Sequence, residues 1–257
     1  MTSLSPAHAI LLAGGRGTRL HPYTLTSPKP LISMDRWTIL EIIIRQLRSF
    51  GVTRVTLCVS HLAEMIMDQC GDGSRFGVTA DYCVDMDPRG TAGPLASVVD
   101  WTEPAVVMNA DILTRMNFAD LYAHHTAGSA VLTVAAHVQD LDIDYGLVHV
   151  VNGHVVDVVE KPRMELNVSA GIYVASPEVR DHIPADQEFG MNELMQQLLL
   201  AGRTVSAYRF SEDWYDIGTP QRLADARRSF AAKPSAFLRE SVSSDRMPAT
   251  KLSADRP

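Results

Sequence analysis

The sequence predicts an α/β fold: a Rossmann-like, mixed and mostly parallel sheet with helices on both faces, continued by a smaller β-rich region. Three observations carry this. Strand-like and helix-like segments alternate about every 10–15 residues through the first half, the pattern of parallel strands joined by crossover helices. The first strand, Ala9 to Ala13, is a short apolar run that stops at glycines, as a buried parallel strand does. After residue 130 the rhythm changes to β-rich segments, and "VNGH" at 151–154 centres on Asn-Gly, a hairpin turn signal.

Each element has its own warrant. Ile39 to Phe50 carries Ile39, Ile42, Ile43, Leu47 and Phe50 at helical spacing, and Gly51 ends it. Val52 to Val59 reads as a strand, Leu62 to Cys70 as a helix, Val78 to Val84 as a strand and Leu95 to Trp101 as a helix. Ala105 to Met108 is a short apolar strand leading into "NAD", and Asn117 can cap a helix running to Ala127. Ala130 to Val138, Gly146 to Val151, His154 to Val159 and Val168 to Val174 read as strands. Met191 to Leu200 is a helix closed by Gly202, and Thr204 to Phe210 is strand-like. Pro220 to Phe230 is a last helix with proline in its first turn. Residues 231–257, rich in Ser, Ala, Pro and Arg without a period, are expected to form a flexible tail.

Composition removes several classes of function. The 257 residues suit one large α/β domain or two small ones. The net charge of −7 argues against a nucleic acid or an anionic membrane as partner, because no basic excess offsets phosphate repulsion. No apolar run approaches the roughly 18 residues of a membrane span. The start, MTSLSPAHA, lacks the basic and apolar regions of a signal peptide. Cys58, Cys70 and Cys83 are isolated and odd in number, which reads as a reducing cytoplasm without a structural zinc. The histidines, His21, His61, His124 and His125 among them, have no metal spacing and read as structural or solvated.

Chemistry concentrates in "ILLAGGRGTRLHPYTLTSPKPL", Ile10 to Leu31. A strand ending in Gly14-Gly15 can turn sharply and bring backbone N–H groups close to an anion, with no Cβ in the way, and Gly17 extends that freedom. Arg19 can fork onto phosphate oxygens, and Lys29 is held between Pro28 and Pro30. The bland alternative is a glycine-rich surface turn with solvated cations. The dinucleotide fingerprint fails, because Leu20 stands where its third glycine belongs, and the P-loop fails, because Thr18-Arg19 follows Gly17. For Asp111, at the end of an apolar strand, the residues alone leave a ligand site and a helix cap both open. Lys161 after Glu160 reads by default as a surface pair, and Gly146 as a turn glycine.

From about Ala9 to about Arg228 the chain resembles the sugar-1-phosphate nucleotidylyltransferases, or nucleotide-sugar pyrophosphorylases. The likeness lies in "LAGGRGTRLHPYTLTSPKPL", followed in the family's order by "GTAGPL" at 90–95, "NAD" at 109–111, "YG" at 145–146, "EKP" at 160–162, "SAGIY" at 169–173 and "WYDIG" at 214–218. The resemblance implies a catalytic domain over 1–230, with a nucleotide-binding half (about 8–129) and a sugar-binding half (about 130–230); the sequence shows no hexapeptide repeat, so the left-handed β-helix that some relatives carry is not expected. The implied reaction is NTP plus sugar 1-phosphate giving NDP-sugar plus pyrophosphate, with Mg²⁺. Leu12, Ala13, Gly14, Gly15, Gly17, Thr18, Arg19, Gly90, Thr91 and Ala92 would bind the nucleotide. Tyr145, Gly146, Glu160, Lys161, Ser169 and Gly171 would bind the sugar phosphate. Asp111 and Asp216 would hold the metal, and Arg19, Lys29, Asp111 and Lys161 would be catalytic.

The spelling "GTAGPL" is closest to relatives that use GTP on mannose 1-phosphate or heptose 1-phosphate. "SAGIY" departs from the family, which commonly has Asn where Ser169 stands; Asn167, two residues earlier on the strand, is a candidate to compensate. Two other readings stay open: the same transfer with CTP, UTP, dTTP or ATP and an unusual sugar or cyclitol phosphate, and a non-catalytic sensor of nucleotide sugars. A homo-oligomer is compatible with the family.

Overall fold

The computed structural model describes residues 5–238, apart from 16, 86, 88 and 186. In chain order the elements are β1 (His8–Leu12), β2 (Ser33–Met34), β3 (Trp37–Thr38), α1 (Ile39–Ser49), β4 (Arg54–Val59), α2 (Ala63–Cys70), β5 (Thr79–Val84), β6 (Ala105–Asn109), β7 (Ile112–Thr114) and α3 (Phe118–Ala127). They continue with β8 (Leu132–Asp142), β9 (Leu147–Val151), β10 (His154–Val159), β11 (Arg163–Ala175), α4 (Met191–Leu200), β12 (Val205–Phe210), β13 (Trp214–Asp216), α5 (Pro220–Ala232) and α6 (Pro234–Leu238).

The main sheet has the order β12-β8-β11-β6-β1-β4-β5. Only β11 runs antiparallel to its neighbours, so the sheet is mixed and mostly parallel, as the alternation predicts. Strand β1 shows why its run is apolar throughout. Ala9 and Leu11 enter the core on the α1 face, while Ile10 enters the core on the face that α4 covers. Helix α1 begins in a capping box: Thr38 Oγ1 accepts from Glu41 N and Glu41 Oε2 accepts from Thr38 N. Asn117 caps α3 as its sequence position suggests, and Pro220 occupies the first turn of α5.

Several expectations need correction. The segment 95–101 is not an α-helix; a 3₁₀ turn at Gly93–Ser97 takes its place, because Pro94 interrupts the start and Val98 turns extended. Strands β7 and β13, three residues each, and the β2–β3 hairpin carry too short a pattern to be read from sequence. The flexible tail expected from 231 is structured as far as 238: α5 runs to Ala232, and Phe237 of α6 is buried against Phe230. Residues 239–257 of that expected tail lie outside the described residues.

The β9–β10 hairpin forms an arm of its own, turning at Asn152-Gly153, both at positive φ. Every residue of the two strands is exposed. Register places Val148, Val150, Val155 and Val158 on one face of this arm.

His8 gives the fold a pH dependence. Its Nε2 shares a hydrogen bond with Thr56 Oγ1 across β1 and β4 at 2.8 Å. Burial, with Arg54 nearby, lowers its imidazole from 6.5 to about 4. Between those values the unfolded chain binds the proton that the folded chain refuses, so stability rises with pH through the window and is lost as pH falls. The loss by pH 4 is on the order of 3 kcal/mol. Denaturant melts of wild type and His8→Asn at pH 7 and pH 4.5 are expected to converge at the lower pH; a constant difference would contradict the assignment.

Candidate active site

The site is built at the carboxyl ends of β1 and β6. After β1 the chain proceeds to β4 on one side, and after β5 it crosses to β6 on the other, so the loops leaving β1 and β6 diverge and open a crevice. A cleft of about 1620 Å³ lies there, larger than the 300–1,000 Å³ usual for one small ligand. Its walls include Leu12, Ala13, Gly14, Gly15, Arg19, Lys29, Gly90, Thr91, Asp111, Ser169, Gly171 and Asp216.

Within the glycine loop the residues divide by task. Ala13 N–H donates to Cys58 O at 2.8 Å, anchoring the loop to β4. Gly14 and Gly15 are exposed, and their N–H groups have no partner among the described residues. A Cβ on Gly15 would meet nothing within 4 Å, so protein packing does not demand glycine there, and space for a ligand is left above the amide. Gly17 differs. It lies outside the cleft wall at φ 61°, and a Cβ would come 3.0 Å from the Thr24 methyl, while Thr24 Oγ1 donates to Gly17 O. Its glycine serves the turn. Thr18 is exposed and likewise outside the wall.

Lys29 is buried in a 3₁₀ turn flanked by Pro28 and Pro30, and its Nζ donates to Asp111 Oδ2. Asp111 follows β6, held there by Ala110 N–H donating to Leu12 O. Its second oxygen, Oδ1, is buried and has no hydrogen-bond partner among the described residues. Burial pushes the Asp111 carboxyl above the usual range and the nearby Asp216 adds to that, while Lys29 opposes it. The short β7–β13 ladder explains how residues 105 positions apart come together: Asp216 pairs with Ile112, and Ile217 N–H donates to Asp111 O at 3.1 Å. Asp216 Oδ2 accepts from Arg222 at 2.8 Å. The Arg19 guanidinium reaches the same loop, about 3.7 Å from where a Cβ of Gly218 would stand.

Two carboxylates with one orphaned buried oxygen suit a hard divalent cation. Among the described residues no group of three or more His, Cys, Asp or Glu side chains could hold a metal. A cation held by Asp111 and Asp216 would need further oxygen ligands beyond these two carboxylates, a ligand set that Mg²⁺ commonly accepts.

At the other end of the cleft, the 89–93 loop is clipped to the start of α4. Phe189 O accepts from Ala92 and Gly93 N–H, and Thr91 Oγ1 accepts from Met191 N–H. Gly90 sits at φ 72°, where a Cβ would stand 2.5 Å from Phe189 O. One expectation changes here. The Ala92 N–H is consumed within the protein and is not free for a nucleotide, and Ala92 is fully buried off the cleft wall. Asp85, absent from the sequence-based list, lines the cleft after β5; its Oδ2 is buried without a partner among the described residues, and Arg89 stands 3.7 Å from its Oδ1. A lone aspartate after a strand carries no signal that separates it from a turn residue.

On the far side, Ser169 shares a hydrogen bond with the Tyr173 hydroxyl at 3.2 Å. Gly171, at φ 69°, leaves room for Asn109, whose Nδ2 would lie 2.6 Å from a Cβ. Asn167 lies outside the cleft wall, and its Oδ1 accepts from Arg209 Nε at 2.9 Å. Tyr145, Gly146, Glu160 and Lys161 stand at the root of the β9–β10 arm, exposed and outside the cleft wall. Gly146 and Glu160 do meet each other, with Glu160 Oε2 3.2 Å from where a Gly146 Cβ would be.

The architecture is that of an open α/β protein with its cleft at the strand carboxyl ends. The nucleotidyl transferase family model matches residues 8–233. A UTP–glucose-1-phosphate uridylyltransferase of Synechocystis is 33% identical over 82% of this chain and 60% of its own length. The mannose-1-phosphate guanyltransferase beta-A of Xenopus laevis is 31% identical over 83% of this chain and 61% of its own. The chain thus spans about three-fifths of the length of these relatives. Among solved structures, HddC from Yersinia pseudotuberculosis shares the fold at a TM-score of 0.68 and 23% identity, over 87% of this chain and 99% of that one. This chain belongs to the nucleotidyl transferase family.

Proposed function

We propose that this protein transfers a nucleotidyl group from an NTP, GTP by preference, to a sugar 1-phosphate. A phosphate oxygen of the sugar phosphate attacks the α-phosphorus in line. The bond to the β-phosphate bridging oxygen breaks, and pyrophosphate leaves with its electron pair. The observation that carries the reading is the Lys29–Asp111 pair, with its orphaned carboxylate oxygen beside Asp216, under the open Gly14–Gly15 amides.

The attacking phosphate is already anionic, so no general base is required and the protein's work is positioning and charge neutralisation. Gly14 and Gly15 N–H groups and Arg19 take the pyrophosphate end, and Lys29 neutralises charge at the α-phosphate. Asp111 and Asp216 would hold Mg²⁺, which when bound supplies positive charge to the phosphate oxygens. Ser169 and Gly171, on the cleft wall, are assigned to the sugar, and Glu160 and Lys161, outside that wall at the root of the arm, to the sugar phosphate. For those arm residues, Lys161→Ala is expected to raise the KM for sugar phosphate more than that for NTP; equal changes in both would remove Lys161 from that role.

The preference for GTP rests on Asp85. An ionised carboxylate only accepts hydrogen bonds, and the guanine edge offers two adjacent donors, N1–H and the 2-amino group. Uracil and thymine offer one N–H between two acceptors. The guanylyl relatives and the complex of HddC with GMP-PN point the same way. The uridylyltransferase relative favours the second reading, the same transfer from UTP. Asp85→Asn is expected to lower kcat/KM for GTP by roughly 10- to 100-fold relative to UTP, the worth of a hydrogen bond to a charged group. An equal loss for both nucleotides would contradict base reading by Asp85.

A further inference from the structure

Two thiols that the proposed chemistry does not use meet beneath the cleft. Cys58 on β4 and Cys83 on β5 are register partners in adjacent parallel strands, so their side chains leave the same face. Both are buried in one core cluster, and the Cys58 thiol shares a hydrogen bond with Cys83. Neighbouring strands lie about 4.8 Å apart, inside the Cα separation of roughly 4.4–6.8 Å that a disulfide spans. The third cysteine, Cys70 on α2, is also buried, but charged Arg75 and Glu41 are its neighbours rather than a thiol.

The pair sits between the two loops assigned to the nucleotide. Cys58 lines the cleft, and its carbonyl anchors the glycine loop through Ala13 N–H. Cys83 Sγ donates to the carbonyl of Pro94, in the turn that follows Gly90 and Thr91, at 3.8 Å. The two sulfurs are unequal. The hydrogen bond from Cys58, with Arg89 and Ser97 nearby, holds the Cys83 thiol below its usual range despite burial, and that hydrogen bond and burial push the Cys58 thiol up. One thiol is thus suited to attack and the other to resolve.

We propose that Cys58 and Cys83 form a modification site, a dithiol that a small hydroperoxide entering through the cleft oxidises to an intrachain disulfide. The Cys83 thiolate attacks one peroxide oxygen. The O–O bond breaks, giving a sulfenic acid and, with hydrogen peroxide, a hydroxide that takes the thiol's proton and leaves as water. The Cys58 sulfur then displaces the sulfenic hydroxyl, losing its own proton; the S–S bond forms and a second water leaves. Two thiols are oxidised by two electrons and one peroxide is reduced. The new bond withdraws the Cys83 sulfur from Pro94 and ties together the strands that hold both loops. Weaker nucleotide binding by the oxidised form follows, a consequence that rests on the proposed nucleotide site.

The test treats the reduced full chain with hydrogen peroxide, with and without GTP and Mg²⁺, then denatures, alkylates and maps peptides by mass spectrometry without reductant. The expected product is a cross-linked pair of peptides carrying Cys58 and Cys83, two hydrogens lighter than the separate peptides. Alkylatable thiols fall from three to one, with Cys70 still free. In Cys83→Ala and Cys83→Ser, Cys58 is expected to oxidise more slowly and form no cross-link. Survival of both thiols while an added small dithiol is oxidised, or unchanged Cys58 oxidation without Cys83, overturns the proposal. The nucleotide arm separates the two readings: a cross-link that forms equally fast with GTP present upholds the dithiol and counts against nucleotide binding in this cleft.

Discussion

Replacing Asp111 by Asn is expected to lower kcat at least about 100-fold, with a much smaller change in the KM for nucleotide. The reason is local. Asp111 Oδ2 is paired with Lys29, while Oδ1 is buried without a partner among the described residues, so the carboxylate keeps an unused acceptor oxygen beside Asp216. An amide keeps the shape and removes the carboxylate's charge, which leaves Lys29 unneutralised and would weaken the hold on the proposed divalent cation. Pyrophosphate release measured across a Mg²⁺ titration checks this: part of the loss should return at high Mg²⁺. Near-wild-type turnover at ordinary Mg²⁺ would remove Asp111 from the metal role.

Lys29→Ala is expected to cost turnover by a similar factor, at least about 100-fold, for a different reason. The ammonium is buried, set by Pro28 and Pro30, and donates to Asp111 Oδ2, and the proposed mechanism assigns it the charge at the α-phosphate. Its removal has a second effect. Burial and Asp216 already raise the Asp111 carboxyl, and Lys29 is the group that opposes them. Without it the carboxyl rises further, so the acid limb of the pH–rate profile should move to higher pH, since a protonated Asp111 cannot hold a cation. Lys29→Arg should restore part of the pH profile and less of the rate, because a guanidinium cannot occupy the space of an ammonium. An unshifted acid limb in Lys29→Ala would show that the pair does not act together.

Where periodicity was long and local the fold was legible. Helix α4 spans Met191–Leu200 as its apolar spacing predicts, and β1 and α1 fall within a residue of expectation. What escaped depends on partners far along the chain. Strands β7 and β13 have three residues each, and they matter because they bring Asp216 to Asp111. No local pattern announces that ladder; only the resemblance through "NAD" and "WYDIG" placed the two carboxylates together. Phe237 was hidden in a Ser- and Ala-rich stretch because a single aromatic has no period, yet it packs on Phe230.

The glycines show a finer limit. Gly15, Gly17 and Gly90 looked alike as loop glycines, and their reasons differ. Gly15 faces open space, Gly17 accommodates Thr24, and Gly90 accommodates the backbone of Phe189. Spacing reveals that a glycine is needed, and only packing reveals by what. Ser169 stands on the cleft wall beside the Tyr173 hydroxyl, while Asn167 lies off that wall with its Oδ1 on Arg209, a difference that strand alternation alone does not reveal.

Nucleotidyl transfer itself is tested most directly by a matrix of NTPs against sugar 1-phosphates with Mg²⁺, read by mass detection of both products. The proposal predicts at least one pair, with GTP foremost, that yields NDP-sugar and pyrophosphate in equal amounts. Calorimetric binding of nucleotide sugars without turnover for any pair would contradict it and leave a sensor built on a transferase fold.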